Sequence, residues 1–187
     1  MTKITSFHER SLRVDSDSNS KMKFLNVAIT GLRGCHHPVM SDVVTSSDVD
    51  KLRPAVKLLT CDYYTYSQRA THSGCSAQCR LCSADFENLE HVTTGCDGTA
   101  DVRDRILQEL HSALVSVSDK DANDIFEIFL NKKILTQFIS DCSSLNLGNL
   151  RISNNHPGLT TIIKICRDLC FAVHKERARK LKELKHS

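Results

Sequence analysis

The chain has 187 residues, of which 40% are hydrophobic and 5% aromatic, with no tryptophan and a formal net charge of +3. This composition is globular and provides enough apolar side chains for one packed core. No stretch approaches the roughly 18 consecutive apolar residues of a membrane helix, and the N-terminus lacks the apolar region of a secretory signal. We therefore expect no membrane partner and an intracellular location, nuclear or cytoplasmic.

The N-terminal part of the chain is polar, and we predict that residues 1–20 are disordered and residues 21–187 form a single helical domain. The apolar run at 22–34 is compatible with a short helix or a strand. A serine cap followed by apolar residues at helical spacing predicts the first long helix, with Val49, Leu52, Val56 and Leu59 on one side. Pro54 lies early in this pattern and is expected to kink the helix without ending it.

Three further helices are predicted downstream. The first opens at about residue 100 and carries an apolar stripe of Val102, Ile106, Leu110, Leu114 and Val117. The second is expected to run without interruption over 121–139, with Ile125, Phe129, Ile134 or Leu135, and Phe138 on one side. The last, at 159–185, has a basic end and a stripe of Ile162, Ile163, Cys166, Leu169, Cys170 and Val173. The predicted fold class is mostly α, with a small cysteine-rich knuckle between helices.

The nine cysteines are an odd number in a chain without a secretory signal, which argues against a disulfide framework. Cys35, Cys61 and Cys142 stand alone and are interpreted as core residues. Four others, Cys75, Cys79, Cys82 and Cys96, fall within 22 residues. This clustering indicates a shared chemical role.

Residues 79–96 have the spacing C-x2-C-x8-H-x4-C. Two thiolates on one tight turn, closed by a histidine and a cysteine from a second turn, can surround one cation tetrahedrally. The pattern predicts a zinc knuckle over 75–97 with Cys79, Cys82, His91 and Cys96 as ligands, since soft ligands suit zinc. Because all four ligands are protein side chains, we expect a structural site. Leu81, Phe86 and Leu89 are expected to pack beside it.

Two alternatives remain open for the metal ligands. Cys75 or His72 can replace one member of the set, because Cys75 lies four residues before Cys79. Cys166, Cys170 and His174 share one face of the last helix, but that face is otherwise apolar and reads as core. His36 and His37 precede a proline and have no nearby partners in the sequence.

No motif in the sequence indicates an active site. The segment beginning DKDAND starts like a calcium loop but places Asp124 where glycine belongs and Leu130 where glutamate belongs. There is no phosphate-binding loop, nucleophile elbow or HExxH motif. We therefore expect a protein that is not an enzyme.

The chain resembles the zinc-binding region downstream of the reverse transcriptase domain in non-LTR retrotransposons. The resemblance extends over about 22–183, but its specific part is 79–96. It rests on the CxxC pair, a Glu-rich stretch, a histidine, a final cysteine and a helix that opens with an arginine, here Cys79, Cys82, Glu87, Glu90, His91, Cys96 and Arg103. The tyrosine-containing lead-in before the knuckle and the segment DLCFAVHKERARKL are also similar. The polymerase aspartates and the endonuclease are absent from this sequence, so polymerase activity is not implied.

The resemblance implies a partner, RNA or DNA, held close to a polymerase. Arg80 in the CxxC turn is the expected contact from the knuckle, and the helix end adds a basic stripe of Lys175, Arg177, Arg179, Lys180, Lys182 and Lys185. Asp85, Glu87 and Glu90 lie near the knuckle and oppose phosphate binding there. The alternative interpretation is a zinc-stapled scaffold or protein-interaction fragment without a nucleic-acid role.

Overall fold

The computed structural model describes residue 39 and residues 46–117, 122–141 and 158–186, and every regular element in these ranges is helical. The mostly α fold class is therefore confirmed. The α-helices are α1 (Ser46–Leu59), α2 (Tyr66–Ser73), α3 (Ala100–Val117), α4 (Ala122–Leu130), α5 (Lys132–Ser140) and α6 (Gly158–Glu183). A π-helical turn (His91–Gly95) and a 3-10 turn (Asp97–Thr99) lie between α2 and α3.

Several sequence predictions fall outside the described residues. They are the disordered segment 1–20, the apolar run at 22–34, and the assignments of Cys35, His36, His37 and Cys142.

Helix α6 is the central element of the core. It packs against α1 and α3, and its predicted stripe is buried: Ile162, Ile163, Cys166, Leu169, Cys170 and Val173. Leu110 and Leu114 of α3 and Leu58 of α1 are buried in the same cluster. In the described part of the chain, no helix combines the length and the apolar character needed to cross a membrane.

Helix α1 continues through Pro54, as the sequence predicted. Leu52 and Leu59 are buried and Val56 packs partly against the core, but Val49 is 43% exposed. Val49 keeps the predicted helical spacing, but it lies in the first turn of α1 and is exposed there.

The predicted single helix over 121–139 is wrong, because the chain breaks at Asn131 into α4 and α5. Asn131 has extended backbone angles, and its Oδ1 accepts a hydrogen bond from the amide of Ile134, 3.1 Å away. An asparagine that caps a new helix competes with continuation of the old one. The break leaves Phe126 and Leu130 of α4 exposed, while the apolar face of α5 is buried.

Helix α2 ends immediately before the cysteine-rich segment. At its start the Thr65 hydroxyl accepts from the Gln68 amide, and the Gln68 side chain accepts from the Thr65 amide. At its end Gly74 adopts a left-handed conformation with φ of 64°, which glycine takes without steric cost. These two caps fix where the chain leaves α2 for the predicted knuckle.

Candidate functional site

The first half of the site is the CxxC turn. The Cys79 amide donates to the Ala84 carbonyl at 2.8 Å, and the Ser83 amide donates to the Cys79 carbonyl at 2.9 Å. Ser83 closes the turn in a left-handed conformation, φ 61°. The amides of Leu81 and Cys82 donate to the Cys79 sulfur. These donors stabilise negative charge on the sulfur, as a metal-binding thiolate requires.

The second half combines the π-helical turn with the residues that follow it. The His91 amide donates to Oδ1 of Asn88 at 2.7 Å, which fixes the start of the turn. Cys96 has an extended backbone, and its sulfur accepts from the Gly98 amide. A π-helical turn is an uncommon local geometry that often occurs at functional positions. It places the imidazole of His91 and the sulfur of Cys96 toward the CxxC turn.

The four predicted ligands lie together, with ligand atoms all within 4.8 Å of one another. The Cys96 sulfur is 3.7 Å from that of Cys79 and 3.9 Å from that of Cys82, and Cys82 Sγ is 3.4 Å from His91 Nε2. Tetrahedral bonds of about 2.3 Å to sulfur and about 2.1 Å to nitrogen place sulfurs about 3.8 Å apart and sulfur and nitrogen about 3.6 Å apart. These three separations are therefore close to those around one tetrahedral metal ion, and the remaining pairs of ligand atoms lie within 4.8 Å.

The thiols of Cys79 and Cys96 are electrostatically coupled. The hydrogen bond between them, and secondly burial, raise the pKa of Cys79 to about 12, whereas the same hydrogen bond lowers the pKa of Cys96. A cation bound between these sulfurs would need both of them deprotonated, so metal binding at this pair would release protons and would depend on pH.

The alternative ligands lie away from this cluster. Cys75 and His72 are exposed, and the hydroxyl of Ser73 donates to Cys75 Sγ at 3.4 Å. Cys166 and Cys170 are buried in the core, whereas His174 Nδ1 is 3.0 Å from the hydroxyl of Tyr63. Within the described ranges, Cys79, Cys82, His91 and Cys96 are the one group of three or more such residues placed to hold a metal.

Two cations from other helices support the backbone beside the cluster. Arg103 of α3 is buried, and its Nη1 donates to the Cys96 carbonyl at 2.7 Å. Lys180 of α6 donates from Nζ to the Gly98 carbonyl, also at 2.7 Å. Sequence reasoning identified Arg103 only through the family resemblance and placed Lys180 on a phosphate-binding stripe. The structure shows both side chains bonded to the loop that carries Cys96.

Glu87 lies between the two halves of the site and is not a surface acid. Its side chain is 1% exposed, and Oε1 accepts from the Tyr66 amide at 2.9 Å and from Nη2 of Arg177. The expectation that Glu87 makes the knuckle surface acidic is therefore wrong. The neighbouring prediction for Phe86 also fails, since this side chain is 57% exposed, whereas Leu89 is buried.

Of the residues predicted to contact nucleic acid, three bind other groups of this chain and four are exposed to solvent. Arg177 pairs with Glu87, Arg179 pairs with Glu176 and Glu183, and Lys180 bonds to Gly98. The other four, Arg80, Lys175, Lys182 and Lys185, are exposed. Arg80, Lys182 and Lys185 line one cavity, into which Arg177 also faces.

Comparison of this chain with protein-family models, with curated proteins and with solved structures finds no match.

Proposed function

We propose that this chain is a retroelement-derived structural zinc-binding module that contacts RNA or DNA as an accessory to reverse transcription. The observation that carries the metal assignment is the set of four ligand atoms within 4.8 Å, at separations close to those of tetrahedral zinc. Three sulfurs and one imidazole favour zinc over cations that prefer oxygen ligands. The four protein ligands complete the tetrahedron, so the proposed role of the metal is to hold structure.

Zinc would join the CxxC turn to the loop that leads into α3. Cys79 and Cys82 come from the first turn, and His91 and Cys96 come from the second. The sulfurs of Cys79 and Cys96, one from each turn, lie 3.7 Å apart. Zinc at this position would therefore stabilise the segment between α2 and α3.

The nucleic-acid part of the proposal is supported by the resemblance to non-LTR retrotransposons and by the charges near the site. Arg80, Lys182 and Lys185 are exposed around a common cavity. Glu87, which the sequence placed among the opposing acids, is buried and paired with Arg177. The surface near the CxxC turn is consequently more favourable to phosphate than the sequence indicated.

The zinc assignment is tested by metal analysis of the purified full chain. We expect about one zinc per chain in the unmodified protein. We expect Cys79→Ser to lose that zinc, because the substitution removes one of the four proposed ligands. Cys75→Ser is the matched control, because Cys75 is exposed and outside the ligand group. Full zinc content in Cys79→Ser would show that the ligand set is wrong.

The nucleic-acid assignment is tested by binding of a fluorescent single-stranded RNA at low salt. We expect affinity to fall steeply with salt and to fall further in Lys182→Ala/Lys185→Ala, because each phosphate contact releases counterions. Absence of binding at low salt, where electrostatic attraction is strongest, would contradict a nucleic-acid role.

The second candidate function is a zinc-stapled scaffold without nucleic-acid binding. The observation that favours it is the internal engagement of Arg177, Arg179 and Lys180, which are half of the basic stripe on α6. A protein with one zinc per chain and no affinity for RNA or DNA would match this candidate.

A further inference from the structure

A cationic cavity of about 260 Å³ lies between α2, the CxxC turn and the end of α6. Five of the side chains that line it carry positive charge: Arg69, Arg80, Arg177, Lys182 and Lys185. No lining residue is acidic. Arg177 is already paired with Glu87, but the other four cations repel one another, and an anion in the cavity relieves that repulsion.

Three of these guanidinium groups surround one aromatic ring. The guanidinium carbons of Arg80, Arg69 and Arg177 lie 5.5 Å, 5.7 Å and 5.7 Å from the centre of the Tyr66 ring. Each distance is within the range of a cation–π contact. Tyr66 is buried, and its amide donates a hydrogen bond to Glu87. The ring therefore has a fixed position against which the three arginines pack.

Two of the arginines that line the cavity retain unused hydrogen-bonding capacity. Nε of Arg69 and Nε of Arg177 are buried and have no hydrogen-bond partner among the described residues. The side chain of Arg177 is 13% exposed, so this donor is largely withdrawn from solvent. A buried donor without a partner is costly, and the oxygens of a phosphate group are the acceptors that guanidinium groups match best.

The opening of the cavity carries an exposed aromatic ring. Tyr64 is 62% exposed, and the guanidinium of Arg69 lies 5.5 Å from the centre of its ring. An exposed tyrosine beside a cationic groove is the arrangement with which proteins stack the bases of single-stranded nucleic acid. The cavity volume is slightly below the roughly 300 Å³ at which small-molecule sites begin, so it suits a phosphate and sugar with the base outside.

We propose that this cavity binds one nucleotide of a single-stranded nucleic acid, with its phosphate at Arg69, Arg80 and Arg177 and its base stacked on Tyr64. This assignment rests on the proposed nucleic-acid function. It adds where the strand binds and which residues contact the phosphate and the base. The phosphate is held by charge and by the guanidinium donors, independently of base identity. The stacked base contributes affinity without strong sequence preference.

The test is fluorescence anisotropy of the full zinc-loaded chain with a labelled twelve-nucleotide single-stranded RNA at several salt concentrations. We expect Tyr64→Ala to weaken binding by about tenfold and Tyr64→Phe to retain it, since phenylalanine preserves the stacking face. We expect Arg69→Gln to weaken binding and to reduce the salt slope by about 0.7, the loss of one phosphate contact on a single strand. Arg105→Gln is the charge-matched control, because Arg105 is exposed on α3 and outside the cavity.

The outcomes separate the cavity assignment from the general function. Unchanged RNA affinity in both Tyr64→Ala and Arg69→Gln, in a chain that does bind RNA, overturns the cavity and leaves the nucleic-acid function standing. No RNA binding by the unmodified chain overturns the function and the cavity assignment with it. Equal weakening in Arg69→Gln and Arg105→Gln shows diffuse attraction and also overturns the cavity.

Discussion

Glu87 and Arg177 form a buried ion pair that connects the metal-ligand segment to the C-terminal helix across 90 positions of sequence. Glu87 lies between Cys82 and His91, and Arg177 lies in the last two turns of α6. The same Glu87 oxygen accepts from the Tyr66 amide, so α2 is fixed at the same point. Three separate segments of the chain therefore meet at one carboxylate.

The pair predicts a large loss of stability when one partner is removed. Glu87→Gln should lower the free energy of unfolding by about 3 kcal/mol, because it leaves the Arg177 charge buried without its partner. Urea denaturation of the zinc-loaded chain measures this change, with exposed Glu109→Gln as the control. Glu87→Gln/Arg177→Met should be more stable than Glu87→Gln alone. If Glu87→Gln lowers the free energy of unfolding by less than about 0.5 kcal/mol, the pair contributes no more to stability than a surface ion pair, and the prediction is wrong.

Gly98 should be intolerant of a side chain. A Cβ at Gly98 would collide with Cβ of Leu81, so the CxxC turn and the Cys96 loop would have to separate. We expect Gly98→Ala to destabilise the chain by about 1–3 kcal/mol, as overpacking does, and to release zinc more readily to a chelator. Gly95→Ala is the matched control, since its Cβ would meet only ordinary contacts of 3.6 Å or more. Equal zinc release from the two variants would count against the close approach of Leu81.

Arg103 should act on the site through the backbone. Arg103→Met keeps the length of the side chain but removes the hydrogen bond from Nη1 to the buried Cys96 carbonyl. The carbonyl keeps its hydrogen bonds from the amide and the hydroxyl of Thr99, so the change removes one hydrogen bond from a charged donor. Such a bond contributes about 1.5–3 kcal/mol, and the free energy of unfolding should fall by that amount. Asp104→Asn is the control, because Asp104 is exposed and contacts Arg103 only through its Nε. Equal stability of Arg103→Met and the parent chain would exclude this supporting role.

His174 should make the protein less stable in mild acid. Burial, and then the charges of Lys57 and Arg177, lower the pKa of His174 below its ordinary value of 6.5. The unfolded chain therefore takes up the proton first, and stability falls as the pH drops below about 6.5. His174→Gln should reduce that fall between pH 7.5 and pH 5.5 in urea denaturation. Zinc release in acid affects both proteins alike, so the difference between their pH slopes is the readout, and identical slopes would contradict the prediction.

Removal of the metal should weaken the proposed nucleotide cavity. Glu87 holds Arg177 and Tyr66 in the cavity and belongs to the segment between two metal ligands. Chelation of zinc should therefore lower RNA affinity, and adding zinc back should restore it. The same treatment of Cys79→Ser should have no effect, because that variant has no site to load. If the chelator leaves the RNA affinity unchanged, RNA binding does not depend on the metal and the prediction is wrong.

The Cys/His cluster was predictable from the sequence because its members are close in sequence. The CxxC turn and the turn between His91 and Cys96 are local structures whose geometry follows from spacing. The helices with a continuous apolar stripe, such as α3 and α6, were predictable for the same reason. The break at Asn131 was missed because the apolar pattern continues across it, while the cap that interrupts it depends on one side chain.

The burial of Glu87 could not be read from its neighbours. Glu87 directly follows two exposed residues, Asp85 and Phe86, and has the sequence character of a surface acid. Only the fold brings Arg177 to it, and this pairing removes Glu87 from the acids at the surface. The cavity itself combines residues from α2, the CxxC turn and α6, so no local motif indicates it.

The spacing of the ligands also sets an order of events during synthesis of the chain. All four proposed ligands are outside the ribosome once Cys96 has emerged, so the cluster can close over a short loop before α3 and α6 emerge. The partner of Glu87 arrives 90 residues later, and its carboxylate must wait for α6 before it can be buried as a charge. The knuckle is thus able to nucleate early, whereas the cavity beside it is completed last.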